Sequence, residues 1–274
     1  MNPFEDPGAA PHYDKRWRRQ VAVGELAERL DLRRHLPSVD DDALRQGCTL
    51  ATELGLAAVT CRPEQVSTVV KDLEGSNVAV ATGLAFYESP AAPVDQQRLA
   101  DEARALAERG ATELAVVANA ERLNVPADSE RSSDRFFDAV ARLSSLQGEA
   151  GFRLRVHLEP CGLTPGQAAA ACGRFGQLGV WMVQAGTWAG SRASYRLLAP
   201  MREALGARNL LKWTTPVTSH HVMLMAMGVG VDRFNTDDPT TLLRAADRQA
   251  QSAPLLVPLP GLDYATVPSP GQRS

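Results

Sequence analysis

The chain has 274 residues, of which 44% are hydrophobic and 22% charged, with a formal net charge of −3. Those proportions describe an ordinary folded globule and exclude disorder throughout. The slightly acidic balance leaves no global basic field to hold nucleic acid. Apolar runs fall far short of the ~20 residues that span a bilayer, and residues 1–20 lack the apolar core of a signal peptide, so no membrane partner is expected. Four irregularly spaced cysteines (Cys48, Cys61, Cys161, Cys172) fit a reduced, cytoplasmic protein. Neither CxxC nor HExxH occurs, so no metal is expected.

Residues 1–20 mix Pro, Gly and Asp with a basic cluster at Lys15, Arg16, Arg18 and Arg19, and read as an N-terminal tail. Residues 21–252 alternate. Short runs of Val, Leu, Ala and Thr recur at Leu30–Leu36, Leu56–Cys61, Val78–Phe86, Thr112–Val117, Leu154–Leu158, Val180–Val183, Leu210–Trp213 and Asp232–Thr236. Amphipathic stretches separate them: Asp40–Leu54 carries Leu44, Cys48, Ala51 and Leu54 on one face, and Asp95–Arg109 carries Leu99, Ala103 and Leu106. Asp41, Asp95 and Thr164 suit helix N-caps, and Gly55, Gly110 and Gly179 sit where helices must stop. Eight strand–helix units predict a parallel sheet closed as an α/β (β/α)8 TIM barrel, which typically takes ~250 residues. A polar stretch at 120–135 reads as a long loop over the barrel mouth. Residues 253–274, with five prolines, read as a Pro-rich C-terminal tail.

Catalytic groups of such barrels lie at the carboxyl ends of the strands. Read there, Lys212 stands out, because only three of the 29 basic residues are lysine and LLKWTT sets this one between Leu211 and Trp213. A desolvated lysine loses its proton easily and attacks carbonyls to form a Schiff base. The competing reading pairs Lys212 with Glu159 or Asp237 in a merely polar barrel mouth. In RVHLEP, Arg155, His157 and Glu159 share strand parity and face one side. His157 and Glu159 would move protons beside the lysine, or Arg155 and Glu159 would form a structural ion pair. Asn119, Gln184, Thr214 and Asp237 lie at other strand ends, and Trp188 and Trp213 near the mouth suggest a flat, apolar substrate. His220–His221 read as surface or capping residues, GTWAGS (Gly186–Ser191) lacks a phosphate-loop pattern, and Met223, Met225 and Met227 read as helix packing.

In these segments the sequence resembles the deoxyribose-phosphate aldolase family, class I aldolases on a (β/α)8 barrel. LPSVDDDALRQGCTLATELGLAAVTCRPEQV is similar to the family's opening strand, helix and second strand, and GATELAVVAN to its fourth strand. LRVHLEPCGLT matches the fifth, MVQAGTWAGSRASYRLLAPMREALG the sixth with its helix, and LLKWTTPVTS the seventh. The resemblance runs from about Leu30 to Asp237. It implies a catalytic Asp at the position of Ala115, a Schiff-base lysine at Gln184, and a second lysine at Lys212. The family's strand-five lysine corresponds to Arg155 and its carboxylate to Glu159. Thr215–Pro216 replaces a phosphate-gripping Gly-Gly, and Asn235–Thr236–Asp237–Asp238 puts two carboxylates where a phosphate would sit.

The family's own mechanism therefore cannot run as written. The expectation is an aldolase-like lyase of repurposed chemistry, with Lys212 as nucleophile or cationic acid on an unphosphorylated carbonyl compound. Natural-product biosynthesis fits by analogy. Alternatives are a non-covalent cyclase, isomerase or dehydratase using Gln184, Asn119 and Thr214 as hydrogen-bonding groups, or a catalytically inactive binding protein. No cofactor is expected, and the resemblance implies a homodimer.

Overall fold

Buried parallel strands need cover on both faces, and amphipathic helices between them supply the outer one. The protein, seen in a computed structural model that describes residues 18–86, 94–123, 130–159, 162–186 and 195–258, is built on that plan. Its elements are β1 (Arg18–Val21), α1 (Val23–Ala27), β2 (Leu30–Arg33), α2 (Asp41–Leu54), β3 (Ala58–Thr60), α3 (Val66–Asp72), β4 (Ala79–Gly83) and α4 (Gln96–Glu108). There follow β5 (Glu113–Ala118), α5 (Ala120–Leu123), α6 (Glu130–Ala150), β6 (Arg153–Leu158), α7 (Pro165–Gln177), β7 (Met182–Ala185) and α8 (Tyr195–Leu205). The chain then runs through β8 (Leu210–Trp213), α9 (His220–Gly228), β9 (Arg233–Thr236), α10 (Pro239–Ala250) and β10 (Leu255–Pro258). Strands β2 to β9 are parallel neighbours in chain order, and β9 returns to β2 with Thr236 opposite Leu32, so the barrel is closed.

All eight expected barrel strands form, all but β8 with shifted ends. β2 and β4 stop three residues early, at Arg33 and Gly83, and β7 starts at Met182 rather than Val180, which brings Gln184 into the wall. Asp40, not Asp41, caps α2, accepting from the Ala43 N–H at 2.8 Å. Asp95 accepts from Gln97 and Arg98 at 3.1 and 3.0 Å, and Thr164 closes a capping box with Gln167. Gly55 ends α2 in the left-handed region, and Gly110 has φ +97° where a Cβ would lie 2.7 Å from a Val70 methyl carbon. The polar stretch 120–135 is not one long loop: α5 and the start of α6 occupy its ends, and 124–129 lie outside the described residues.

Of the tails expected at 1–20 and 253–274, only 18–20 and 253–258 lie among the described residues, and there the chain is not loose. Residues 18–21 and 255–258 pair antiparallel as β1 and β10, Arg18 opposite Pro258 and Val21 opposite Leu255. Leu255 and Val257 are buried, which the flanking prolines hide in the sequence. Pro258 ends the strand, where its missing N–H costs little.

Strand parity sorts the core. Leu30, Leu32, Leu154, Val156, Leu158, Leu211, Trp213 and Phe234 belong to the apolar layer beneath the helices. Residues of the opposite parity, Asp31, Arg155, Gln184, Lys212 and Arg233, are buried and polar and fill the barrel itself.

Candidate active site

A barrel interior normally packs branched apolar side chains; this one holds five charges. Asp31 on β2 lies at their centre. Arg155 Nη1 donates to its Oδ2 at 2.9 Å and Arg233 Nε to its Oδ1 at 2.9 Å, while Lys212 Nζ also donates to Oδ2. Glu113, at the start of β5, pairs with Arg155, and its Oε1 lies 3.7 Å from Arg233 Nη1. The Trp181 ring underlies the cluster, 5.9 Å from the guanidinium carbons of both Arg155 and Arg233. Three cations thus face two carboxylates, and all but Arg233 are at most 1% exposed.

This surplus of positive charge sets the protonation of the site. Burial would raise the Asp31 carboxyl, but Arg233, Lys212 and Arg155 hold it well below the usual carboxylate range. Burial pushes Lys212 down to about 7; Asp31 opposes that fall, while Arg155 and Arg233 deepen it. Guanidinium groups keep their protons even when buried, so Lys212 is the cation that can yield.

Above this floor the register lays out a second tier, with His157 on β6 opposite Gln184 on β7, and Gln184 opposite Lys212 on β8. Burial lowers His157 to about 3, helped by the charges of Lys212 and Arg155, so its imidazole is neutral. His35, just past β2, is lowered to about 4 by burial, with Arg33 and Lys212 contributing. Gln184 Nε2, Thr214 Oγ1 and His157 Nδ1 are buried without a hydrogen-bond partner.

The expected site residues divide. Lys212, Arg155, His157, Gln184 and Thr214 come together inside the barrel. Glu159 follows β6, half-buried, with its N–H donating to the Ala118 carbonyl at 2.8 Å. Neither Glu159 nor Asp237 is the carboxylate on Lys212: that place belongs to Asp31, and Asp237 instead takes a bidentate pair from Arg33 at 2.9 and 2.6 Å. Arg155 likewise pairs with Asp31 and Glu113 rather than Glu159. Asn119 caps α5, its Oδ1 accepting from the Arg122 N–H at 3.0 Å. Trp213 is one residue from Lys212 and so points the other way, into the helix-covered layer and not the mouth. Trp188 and most of the GTWAGS segment lie outside the described residues.

Sequence reasoning missed Asp31, Glu113, Arg233, Trp181 and His35. A signal existed for the first: in LDLR an aspartate separates two leucines of a barrel strand. Of the other singled-out residues, His220 starts α9 with Nε2 2.7 Å from Gln249 Oε1, and Met223 is buried while Met225 is 39% exposed. Among the described residues no cluster of three or more His, Cys, Asp or Glu could hold a metal ion, and no helix is long and apolar enough to cross a membrane.

No family model matches the chain. It is 27% identical over 229 residues to a deoxyribose-phosphate aldolase of Bacteroides thetaiotaomicron, covering 82% of this chain and 92% of that protein. The corresponding enzyme of Thermococcus kodakarensis is 24% identical, with 81% and 97% covered. Among solved structures, a Coccidioides immitis protein provisionally assigned to the same activity superposes with a TM-score of 0.72 at 22% identity, covering 84% of this chain and 88% of that one. The tetrameric deoxyribose-phosphate aldolase of Aeropyrum pernix gives 0.67 at 19% identity, with 82% and 92% covered. Fold and sequence together make this chain a distant homologue of the deoxyribose-phosphate aldolases.

Proposed function

We propose that the chain is an aldolase-like lyase acting on an unphosphorylated carbonyl compound at the carboxyl end of the barrel, with Lys212 as its nucleophile. The observation that carries this reading is the setting of Lys212: an interior amine held near pKa 7 by burial against two guanidinium groups. About half of it is neutral at physiological pH. The neutral amine adds to the carbonyl carbon, and the carbonyl oxygen leaves as water to give an iminium ion. That cation accepts the electron pair of the substrate's Cα–Cβ bond while the β-hydroxyl loses its proton and departs as an aldehyde. The resulting enamine is protonated at carbon, and water releases the product and the free amine. Glu159 is the group we assign to these proton movements; His157, lowered to about 3 and so a feeble base, holds substrate oxygen together with Gln184 and Thr214.

The rim supports an uncharged substrate. The N-terminal N–H groups of a helix readily take an anion, but at α10 the Asp238 carboxylate already accepts from the Thr241 N–H at 3.0 Å. A phosphate approaching there meets Asp237 and Asp238 together. The chain's homologues are named for a phosphorylated sugar, so substrate class is where we place the divergence. The A. pernix tetramer is compatible with self-association, and a homodimer is our expectation.

The Lys212–Asp31 ion pair favours a second reading, in which Lys212 stays a fixed cation in a non-covalent isomerase, cyclase or dehydratase. Borohydride reduction in the presence of small aldehydes and ketones, followed by intact mass measurement, separates the two. We expect an adduct on the parent protein and none on Lys212→Ala or Lys212→Arg. Equal adducts on all three, or turnover preserved in Lys212→Arg, which keeps the charge but forms no imine, would overturn the covalent mechanism.

A further inference from the structure

His35 and His157 project from opposite arcs of the barrel, one just after β2 and one on β6, and Lys212 acts electrostatically on both rings. Each ring is also within electrostatic reach of the other, since His35 contributes to the field at His157. Both His35 nitrogens and Nδ1 of His157 are buried with no hydrogen-bond partner. Buried polar atoms are nearly always paired, and an unpaired one is costly. Three on two rings, beside the unpartnered Gln184 Nε2 and Thr214 Oγ1, mark a surface built to be completed by something else.

The chemistry of that missing partner can be read from charge. An imidazole lowered as far as these two is uncharged at neutral pH, and each then offers one N–H and one lone pair. Among the described residues, the cations at the ends of β2 and β3 are engaged: Arg33 with Asp237, and Arg62 with Glu64 at 3.0 Å and the Leu36 carbonyl at 3.0 Å. A hydroxyl group, both donor and acceptor, matches the two rings; a phosphate dianion matches neither. The Phe86 ring stands at 80° to that of His35, with ring centroids 6.1 Å apart.

We propose that His35 and His157 form a subsite for the uncharged, hydroxyl-bearing part of the carbonyl substrate, so that Lys212 receives hydroxyaldehydes or hydroxyketones in preference to plain or phosphorylated ones. The assignment rests on the aldolase-like reading for its reaction but not for its binding.

The test uses protein labelled with 15N-histidine and follows imidazole resonances during titration with D-glyceraldehyde, propanal and D-glyceraldehyde 3-phosphate. It is run on the parent and on Lys212→Met, which cannot form an imine. Glyceraldehyde is expected to shift the His35 and His157 signals saturably in both proteins, with the other two probes about tenfold weaker. His35→Phe and His157→Leu are each expected to weaken glyceraldehyde binding about tenfold. If a glyceraldehyde adduct forms on Lys212 while neither histidine signal moves, or if propanal or the phosphate binds as well, the subsite is wrong and the aldolase reading stands. Histidine shifts without any Lys212 adduct would keep the subsite and sink the aldolase reading. Should either variant fail to fold, the titration of the parent still decides.

Discussion

Replacing Asp31 by asparagine removes the carboxylate on which Arg155, Arg233 and Lys212 converge and leaves Glu113 alone against three cations. Breaking a buried ion network by deleting one partner costs about 3–5 kcal/mol. The structure also says how that cost depends on pH, because the guanidinium groups cannot discharge and Lys212 can. A unit charge about 3 Å away contributes about 5 kcal/mol at an effective dielectric of about 20. Its loss should carry Lys212 from about 7 to 5 or below. In the unfolded chain the same lysine titrates near its ordinary value, so a lowered folded pKa makes stability rise with pH between the folded and unfolded values. At pH 5 the parent holds Lys212 charged and the variant does not hold it comfortably; at pH 9 both hold it neutral. The variant's deficit should therefore be larger at pH 5 than at pH 9, by about 3 kcal/mol for a fall of about two pKa units. Neither His35 nor His157, at about 4 and 3, is mostly charged in that window. Urea unfolding of parent and Asp31→Asn at the two pH values measures the difference. Repeating both in a Lys212→Met background should abolish the pH dependence. A deficit equal at pH 5 and pH 9, or a pH dependence that survives Lys212→Met, would refute the assignment of Lys212 as the responding group.

Three further outcomes follow from the same geometry. Cyanoborohydride trapping of an aldehyde on the parent should rise with pH through about 7 and level off above it, following the neutral amine; a rise only near 10 would mean Lys212 is not depressed. Gly110→Ala should lower stability more than Gly55→Ala in thermal melts. Both glycines have positive φ, which costs about 1 kcal/mol for alanine, but only at Gly110 does the new methyl also press on Val70; equal losses would contradict the close approach. Leu255→Ala, in the terminal strand pair, should cost about 2–4 kcal/mol by chemical denaturation, since that side chain is 1% exposed. A loss within about 0.5 kcal/mol would mean that the terminal pairing contributes little.

The barrel is legible in the sequence because both of its periodicities are local: apolar runs of four to nine residues and helical faces that repeat within one or two turns. Lys212 is legible for the same reason, as one ammonium inside an apolar run. Its partner is not. Asp31 precedes it by about 180 residues, and only closure of β9 onto β2 brings the two together. Glu113 and Arg233 are strand-opening residues, where a charge reads equally well as solvated. Strand parity, already visible, excluded Trp213 from the mouth once Lys212 faced inward. Asn119 had the composition of a ligand-binding residue but spends its carbonyl oxygen on a helix start. The terminal strand β10 was disguised by prolines, which sit at its margins where they do no harm.

That terminal pairing also bears on how the protein is made. Its two strands are about 240 residues apart, so β1 leaves the ribosome well before β10 does. At a typical synthesis rate of roughly 5–20 residues per second, β1 waits on the order of 12–48 s for its mate. During that interval its backbone edge and the apolar surfaces destined for Leu255 and Val257 are open to other chains. Until β10 arrives, that open edge is one route by which folding in the cell can go astray.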